Sequence, residues 1–263
     1  MQEKKDRRPR DLFRPEADVQ AEITPRWVRV EYNGEFLADS RDTLLVREKG
    51  RTPGYYFPRE DVRFDLLEES DKVIKDPNKG KTIHWHIKVG KREAPNAAFA
   101  HPEPESDWPE LGSYVSFAWD EMDAWYEEEE QIFVHPRDPY KRVDVLPSSR
   151  HVRIEVDGTV LADSHRPWLL FETWLPTRYY LPPEDVKTEL LRRSDNHTSC
   201  PYKGNAIHYS VEINGQEYKD LAWIYNDPLL EANGIKGMIA FYNERVDLFV
   251  DGQLQEQPQT PWS

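Results

Sequence analysis

The segment VRVEYNGEFLADS at residues 28–40 returns about 124 positions later as VRIEVDGTVLADS at 152–164. At the same spacing, YYFP at 55–58 falls on YYLP at 179–182. Between Val28 and Glu93, roughly 26 of 66 positions are identical to their counterparts without any gap. Self-similarity at one fixed spacing is typical of a duplicated unit, so the sequence predicts two copies of one small domain in tandem.

Each copy opens with a strand pattern. Apolar and polar residues alternate over 28–32, which indicates a half-buried strand. Asn33-Gly34 and Asp157-Gly158 supply the positive φ that a two-residue hairpin turn needs. Helical signals are weak and are confined to 184–193 and 228–241, and no βαβ alternation appears. The predicted fold class is mainly β, a tandem of two small antiparallel β-sheet domains with one or two short helices each.

The repeat and the segments between its copies divide the chain into five parts. A charged N-terminal stretch reads as a mobile arm, and an apolar triplet at 132–134 reads as one extra strand in a proline-rich connector. The predicted parts are an N-terminal arm at 1–25, a first β domain at 26–127, a connector at 128–149, a second β domain at 150–254 and a C-terminal tail at 255–263.

Composition limits the partners. The net charge is −14, with 49 Asp and Glu against 35 Lys and Arg, which disfavours nucleic acid because its binding needs a cationic face. The single cysteine, Cys200, permits no intramolecular disulfide and no thiolate zinc ribbon, and suits a reducing cytoplasm. The first 14 residues carry no apolar core of a signal or membrane segment. We expect a cytoplasmic protein with a small-molecule ligand, no nucleic-acid partner and no membrane partner; self-association stays open.

Motifs of the second copy resemble a known family. They are LPTRYYLP at 175–182, EDV at 184–186, CPYKG at 200–204, and Trp223 with Tyr225. Together they resemble the domain of unknown function 427 family in its two-domain form, over nearly the whole chain after the arm. The resemblance implies a tent-like β fold (β-tent), similar to Mss4-like and methionine sulfoxide reductase-like domains. Some classifications label the family nucleotidyltransferase-like, and its function is open, so the resemblance supplies fold better than activity.

The first copy departs from these motifs. It has DPNKG at 76–80 in place of CPYKG, and Pro53-Gly54 in place of Thr177-Arg178. Phe99 and His101 stand where the second copy has Trp223 and Tyr225. The first copy therefore lacks a thiol, an arginine and two aromatic walls, and we interpret it as partly degenerate and the second copy as the candidate site.

Several side chains of the second copy have the chemistry of a site, and each has a simpler alternative. Cys200 would be a nucleophile if Lys203 and Arg178 lowered the pKa of its thiol, or an inert buried thiol. Lys203 would bind an anion, or lie solvated at a Lys-Gly turn that both copies keep. Arg178 would hold an anionic or planar ligand beside Tyr180, or pair with Glu172 or Glu184.

The aromatic residues and histidines are equally open. Trp223 and Tyr225 share a strand face and would wall a ligand pocket, or belong to a core. His208 would transfer protons, or be a satisfied structural histidine. His84 and His86 have chelating spacing but no third ligand at a telling distance, so no metal site and no cofactor are predicted. The residues assigned to catalysis are Cys200, His208 and Tyr180, and those assigned to substrate binding are Arg178, Lys203, Tyr202, Trp223, Tyr225 and Glu172.

Three functions remain open at this stage. The first is an enzyme that acts on an anionic or aromatic metabolite in a pocket of the second domain. The second is a non-catalytic ligand-binding or protein-interaction module, and the third is a nucleotide-binding or transferase-like activity. A Ser-His-Asp elbow, a Walker loop, a dinucleotide glycine fingerprint and HExxH are all missing from the sequence, so the common hydrolase, NTPase and dehydrogenase classes lose their usual support.

Overall fold

The computed structural model describes residues 19–76, 80–103 and 111–260. The chain divides between Asp138 and Pro139 into two compact units, called here the first and the second domain. Over the described residues, both domains are built from antiparallel strands joined by turns and short 3-10 helices. This confirms the mainly β tandem of antiparallel domains that the repeat predicts.

The first domain has one large and one small sheet. Their strands are β1 (Val19–Ile23), β2 (Val28–Tyr32), β3 (Glu35–Ser40), β4 (Leu44–Glu48), β5 (Gly54–Pro58), β6 (Leu67–Asp76), β7 (Gly80–Val89), β8 (Arg92–Glu103), β9 (Tyr114–Phe117), β10 (Ala124–Glu127) and β11 (Glu130–Ile132). The 7-stranded sheet has the order β1-β4-β5-β9-β8-β7-β6, and the 4-stranded sheet has the order β11-β10-β2-β3.

The second domain repeats this topology strand for strand. Its strands are β12 (Val143–Pro147), β13 (Val152–Val156), β14 (Thr159–Ser164), β15 (Trp168–Glu172), β16 (Arg178–Leu181), β17 (Leu191–Cys200), β18 (Gly204–Ile213), β19 (Gln216–Ile224), β20 (Ile239–Phe241), β21 (Asp247–Val250) and β22 (Gln253–Leu254). The sheet orders are β12-β15-β16-β20-β19-β18-β17 and β14-β13-β21-β22.

Helical structure in the described residues is limited to three 3-10 helices in each domain. They are Arg59–Asp61, Phe64–Leu66 and Trp119–Glu121 in the first domain, and Pro183–Asp185, Thr188–Leu190 and Leu230–Ile235 in the second. The sequence predicted one or two short helices in each copy, and the described residues contain three in each domain. These segments bridge consecutive strands over a few residues, and a 3-10 turn fits such short connections. No helix in the part of the chain that the structure describes is long and apolar enough to cross a membrane.

Two kinds of backbone irregularity, a register slip and a left-handed residue, occur at equivalent positions of the two domains. The β2–β3 pairing slips between Val30 and Glu31, and the β13–β14 pairing slips at the equivalent Ile154 and Glu155. Asn96 and Asp220 occupy equivalent positions, and both have a left-handed φ, of 57° and 49°. A non-glycine residue in this region is uncommon. The backbone of the duplicated unit is thus conserved between the two copies even where side chains differ.

The hydrophobic core of each domain lies between its two sheets. In the second domain this core joins Val152 and Ile154 of the small sheet to Tyr179 and Leu181 of the large sheet. The next residue along β16, Tyr180, points to the opposite face because side chains alternate along a strand. The face of the large sheet that points away from the small sheet is called here the outer face. It carries the residues that the sequence singled out in the second copy.

Two boundary predictions need correction. Residues 19–23, placed in a mobile arm, form β1 and pair antiparallel with β4; residues 1–18 of that arm lie outside the described part. The connector at 128–149 was expected to hold one strand at 132–134. The strand there is β11, which ends at Ile132, while Phe133 and Val134 are exposed. A further strand, β12, lies in the same stretch and pairs with β15 of the second domain, because its apolar residues cover the edge of that sheet.

Candidate functional site

The outer face of the second domain brings most of the predicted residues together. Tyr180, Trp223 and Tyr225 belong to one buried cluster, which also contains Leu170, Ala206, Ala232, Ile235 and Ala240. Cross-strand pairing places four residues side by side across neighbouring strands. Tyr180 lies opposite Ala240, Ala240 opposite Trp223, and Trp223 opposite His208. The Trp223 indole N–H donates to the Tyr180 hydroxyl at 3.0 Å. Burial raises the pKa of Tyr180 and of Tyr225, so both phenols are neutral at physiological pH.

Arg178 is held in this face by a carboxylate that the sequence did not indicate. Its guanidinium donates two hydrogen bonds to Glu244, at 2.6 and 2.7 Å, and lies over the rings of Trp223 and Tyr242. Burial alone would raise the pKa of Glu244, but hydrogen bonds from Arg178 and Thr260 outweigh it and lower that pKa. The alternative of Glu172 or Glu184 as the partner of Arg178 was wrong. Glu244 is a buried anion with a matched bidentate cation.

Glu172 holds the other predicted cation. Lys203 is hydrogen-bonded to Glu172, and Lys141 Nζ lies 2.8 Å from the same carboxylate. Burial raises the pKa of Glu172, but Lys203 and Lys141 overcome this and lower it, so the carboxylate is ionised at neutral pH. Lys141 also lies 5.0 Å from the ring centroid of Tyr202. Lys203, Tyr202 and Glu172 therefore lie together in one charged cluster beside the aromatic residues.

His208 and Cys200 complete the set. His208 Nε2 lies 2.8 Å from the Thr198 hydroxyl, whereas its Nδ1 is buried without a hydrogen-bond partner among the described residues. Burial lowers the pKa of His208, so the ring is neutral at physiological pH. Cys200 is partly buried at the end of β17. The predicted residues are thus neighbours, with the two predicted cations already paired.

The first domain carries a cavity lined both by outer-face residues, such as Tyr56 and His101, and by inner-core residues, such as Tyr55 and Phe117. Its volume is about 560 Å³. Aromatic rings dominate its walls: Tyr55, Tyr56, His84, Phe99, His101, Phe117, Trp119, Trp125 and His135. Thr82, Ser116, Glu48 and Arg51 add polar groups, and Gly54 lies at the wall. Sequence comparison assigned no site to this copy and missed the cavity.

Hydrogen bonds fix the polar wall of this cavity. His101 Nε2 lies 3.2 Å from the Tyr56 hydroxyl, and its Nδ1 lies 3.0 Å from the Thr82 hydroxyl. His84 Nδ1 bonds the carbonyl of Lys72 at 3.1 Å. Burial lowers the pKa of His84 and raises that of Tyr56, which keeps both groups neutral. This part of the wall, formed by His84, His101, Tyr56 and Thr82, is therefore polar and held by hydrogen bonds.

Gly54 accounts for the difference between the two domains. It is equivalent to Arg178, the first residue of β16, since β5 and β16 start at equivalent positions. A Cβ atom built at Gly54 would approach only Tyr56, at 3.7 Å, so there is room for a side chain. In the second domain the side chain of Arg178 reaches Glu244. The residue of the first domain equivalent to Glu244 is Asp120, which is exposed. The absence of an arginine at this position, which we interpreted from the sequence as degeneration, contributes to the open space of the first domain but does not by itself predict the cavity.

Comparison with known proteins identifies a family. No curated protein matches the chain. The family model described as Domain of unknown function (DUF427) matches residues 20–128 and, again, residues 144–252. These two ranges cover most of the chain and all strands of the two domains in whole or in large part except β11 and β22. The chain therefore belongs to the DUF427 family and carries its domain twice.

Proposed function

We propose that the protein is a small-molecule binder whose first domain holds a planar, uncharged molecule in its aromatic cavity. The observation that carries this proposal is the cavity itself, since its volume of about 560 Å³ falls within the range of about 300–1,000 Å³ typical of ligand pockets. Its walls combine many rings with a few fixed polar groups, which is the usual composition of such sites. The polar groups would orient the ligand and the rings would supply most of the contact area.

The preference for an uncharged ligand follows from the charges around the cavity. Arg51 Nε lies 3.3 Å from Glu48, so the cation and the anion at its wall neutralise each other. The imidazole of His84 and the phenol of Tyr56 are held neutral by burial. A charged ligand would lose its hydration in this cavity with little compensation, and that loss costs several kcal/mol. A heteroaromatic ring with one donor and one acceptor meets no such penalty.

Gly54 provides a sharp test. We expect Gly54→Arg to fill the cavity, because the Cβ position is open and the equivalent residue of the second domain is an arginine. The matched control is Ser113→Arg, which adds the same charge at an exposed position outside the cavity wall. A ligand-observed NMR screen of neutral heteroaromatic fragments would compare the three proteins. Fragments that bind the wild type and Ser113→Arg but not Gly54→Arg support the proposal, and an identical set of binders for all three rejects it.

A second candidate function is the catalytic pocket of the second domain that the sequence motivated. It is favoured by the buried Nδ1 of His208, which has no partner among the described residues and lies on the strand next to Trp223. A ligand anion would have to draw Arg178 from Glu244 or Lys203 from Glu172. Incubation of a metabolite mixture with wild type, Cys200→Ala and His208→Ala, followed by mass spectrometry, tests it. A metabolite consumed only by the wild type supports this function, and three equal profiles reject it.

A further inference from the structure

Three side chains with metal-ligating chemistry lie close together at the surface of the second domain, at the β13–β14 hairpin of its small sheet. They are His151, Asp163 and His165, and one ligating atom of each lies within 4.8 Å of the others. His151 Nε2 is 2.7 Å from Asp163 Oδ1, and the two imidazole rings are stacked with centroids 4.2 Å apart. Asp163 and His165 are exposed, and His151 is half-buried. Solvent therefore has access to all three ligating groups.

The backbone of a hairpin places these residues. In the β13–β14 pairing, Val152 lies opposite Ser164 and Arg153 lies opposite Asp163, so His151 and His165 are the next pair along the hairpin. Directly opposed residues have Cβ atoms about 4.5–5.5 Å apart. Asp163 and His165 are two positions apart and therefore point to the same side. The grouping follows from strand register and not from the rotamer of one side chain.

Neighbouring contacts hold both histidines in place. The backbone N–H of His151 donates to the Asp251 carboxylate at 3.0 Å, and the backbone N–H of Asp251 donates to the His151 carbonyl at 2.8 Å. On the other strand, the hydroxyl of Ser164, next to His165, donates to Asp185 at 2.7 Å. Ligands on a fixed backbone lose little freedom when an ion binds, and this favours affinity.

The first domain shows what the same three positions do without metal-ligating chemistry. The equivalents of His151, Asp163 and His165 are Trp27, Asp39 and Arg41. The Trp27 indole N–H donates to Asp39 at 2.5 Å, and the Arg41 guanidinium lies 4.9 Å from the Trp27 ring centroid. In the first domain the Asp39 carboxylate thus accepts a hydrogen bond from the Trp27 indole, and the Arg41 guanidinium lies over the Trp27 ring. In the second domain both of these residues are replaced by imidazoles, which bind metal ions.

We propose that His151, Asp163 and His165 bind a divalent first-row transition-metal ion, with zinc as the reference ion. Two imidazoles and one carboxylate are the donor set such ions prefer, and magnesium and calcium prefer oxygen ligands alone. Zinc–ligand bonds of about 2.0–2.2 Å bring ligating atoms to about 3–4 Å from each other, a spacing that small side-chain adjustments reach from the observed one. Three protein ligands leave at least one coordination position to water.

Zinc binding to the full chain tests the proposal. After treatment with a chelator, the protein is titrated with zinc in competition with a chromogenic chelator. We expect His151→Ala/His165→Ala to weaken binding by about tenfold or more, because it removes two ligands. His86→Ala/His197→Ala removes the same number of histidines elsewhere and is expected to leave this binding unchanged. Equal affinity in wild type and His151→Ala/His165→Ala would overturn the proposal and leave a metal-free His-Asp contact.

Two further measurements do not depend on that variant. Nickel added to isotope-labelled wild type is expected to broaden the amide resonances around residues 151 and 165; broadening confined to other regions contradicts the site. Trp27→His/Arg41→His rebuilds the three ligands in the first domain, since Asp39 is already present. This variant is expected to bind one more zinc ion than the wild type. A folded variant with unchanged stoichiometry contradicts the inference that hairpin register creates the site.

Discussion

The outer faces of the two domains use one backbone for different purposes. In the second domain Arg178 lies among aromatic rings and forms a bidentate ion pair with the buried Glu244. In the first domain the equivalent residue is Gly54, at the wall of a cavity of about 560 Å³. Strand order agrees between the domains, and so do several strand slips and left-handed residues, among them Asn96 and Asp220. The inner core and the turns thus maintain the same strand arrangement in both domains. The outer face can differ, with a buried ion pair in one domain and a cavity in the other.

This difference shows that the loss of motif residues can open a cavity in a domain whose frame is kept. The first copy lacks the arginine and cysteine of the second, and sequence comparison therefore ranked it lower. Removing a large side chain from a packed face leaves a space unless its neighbours collapse, and the strands of a paired sheet cannot easily move. An empty position can be the functional feature, whereas a retained arginine can be structural.

The largest expected effect is the loss of the buried cation. We predict that Arg178→Ala destabilises the second domain by about 3–5 kcal/mol, because it leaves the Glu244 carboxylate buried without its ion-pair partner. Chemical denaturation followed by resonances of each domain would measure this effect and show the first domain unchanged. Arg178→Met/Glu244→Leu is expected to recover most of the loss. If Arg178→Ala costs less than 1 kcal/mol, the ion pair is not what holds this face together.

Acid is predicted to affect the second domain more than the first. Glu172 and Glu244 have lowered pKa values in the folded state, so their contribution is present above the ordinary carboxyl pKa of about 4.3. It is lost as the pH falls through their folded-state pKa values, below that point. His84 and His208, one in each domain, both have pKa values lowered by burial, so their pH dependence has the same sign in the two domains.

Denaturation midpoints of each domain would check this prediction. They would be measured from about pH 6 to about pH 3, a range that includes the ordinary carboxyl pKa. A shallower pH dependence of the second domain in Glu172→Gln would identify the carboxylate responsible. Parallel curves for the two domains would count against the two buried ion pairs as the source.

A smaller effect is expected at the polar wall of the cavity. We predict that His101→Phe costs about 1–3 kcal/mol, since the Tyr56 and Thr82 hydroxyls lose the ring nitrogens with which they pair. Thermal unfolding of the first domain would measure it. His197→Phe, at an exposed position, serves as the control and is expected to stay within about 0.5 kcal/mol of the wild type. A neutral His101→Phe would mean that water replaces these hydrogen bonds.

The smallest expected effect is at the position that corresponds to Arg178. Gly54→Ala is predicted to stabilise the first domain by about 0.4–1 kcal/mol, because alanine restricts the unfolded chain and its Cβ makes only an ordinary contact with Tyr56. Denaturant midpoints of wild type and variant would show the change. A loss of stability would reveal that this strand end needs the freedom of glycine, and would weaken the comparison with Arg178.

Much of the fold follows from local sequence. The repeat predicts two copies, and the Asn33-Gly34 and Asp157-Gly158 dipeptides predict hairpins, which form with positive φ at both turn residues. Such turns are decided by a few adjacent residues, so the sequence contains the information. β1 escaped prediction because its five residues are stabilised as an edge strand by β4 and not by their own pattern.

The site was only partly predictable. The sequence placed Arg178 beside Tyr180, and in the structure Arg178 and Tyr180 both contact Trp223 on the outer face, whereas Tyr179 lies in the inner core. The partner of Arg178 lies 66 residues away, where Glu244 is one of many acidic residues in the sequence. The cavity depends on volume that is missing across several strands, and no single residue reports it. Whether any of these residues binds a ligand stays a prediction.

The ion pair of Arg178 and Glu244 also bears on how the chain avoids misassembly. Two adjacent copies with so many identical positions offer each strand a second place to pair, and tandem repeats misfold in this way by exchanging strands. If β5 took the place of β16, Gly54 would face Glu244 and leave a buried carboxylate without a cation. We therefore expect divergence at this one position to disfavour strand exchange, because it makes the exchanged sheet less stable than the correct one.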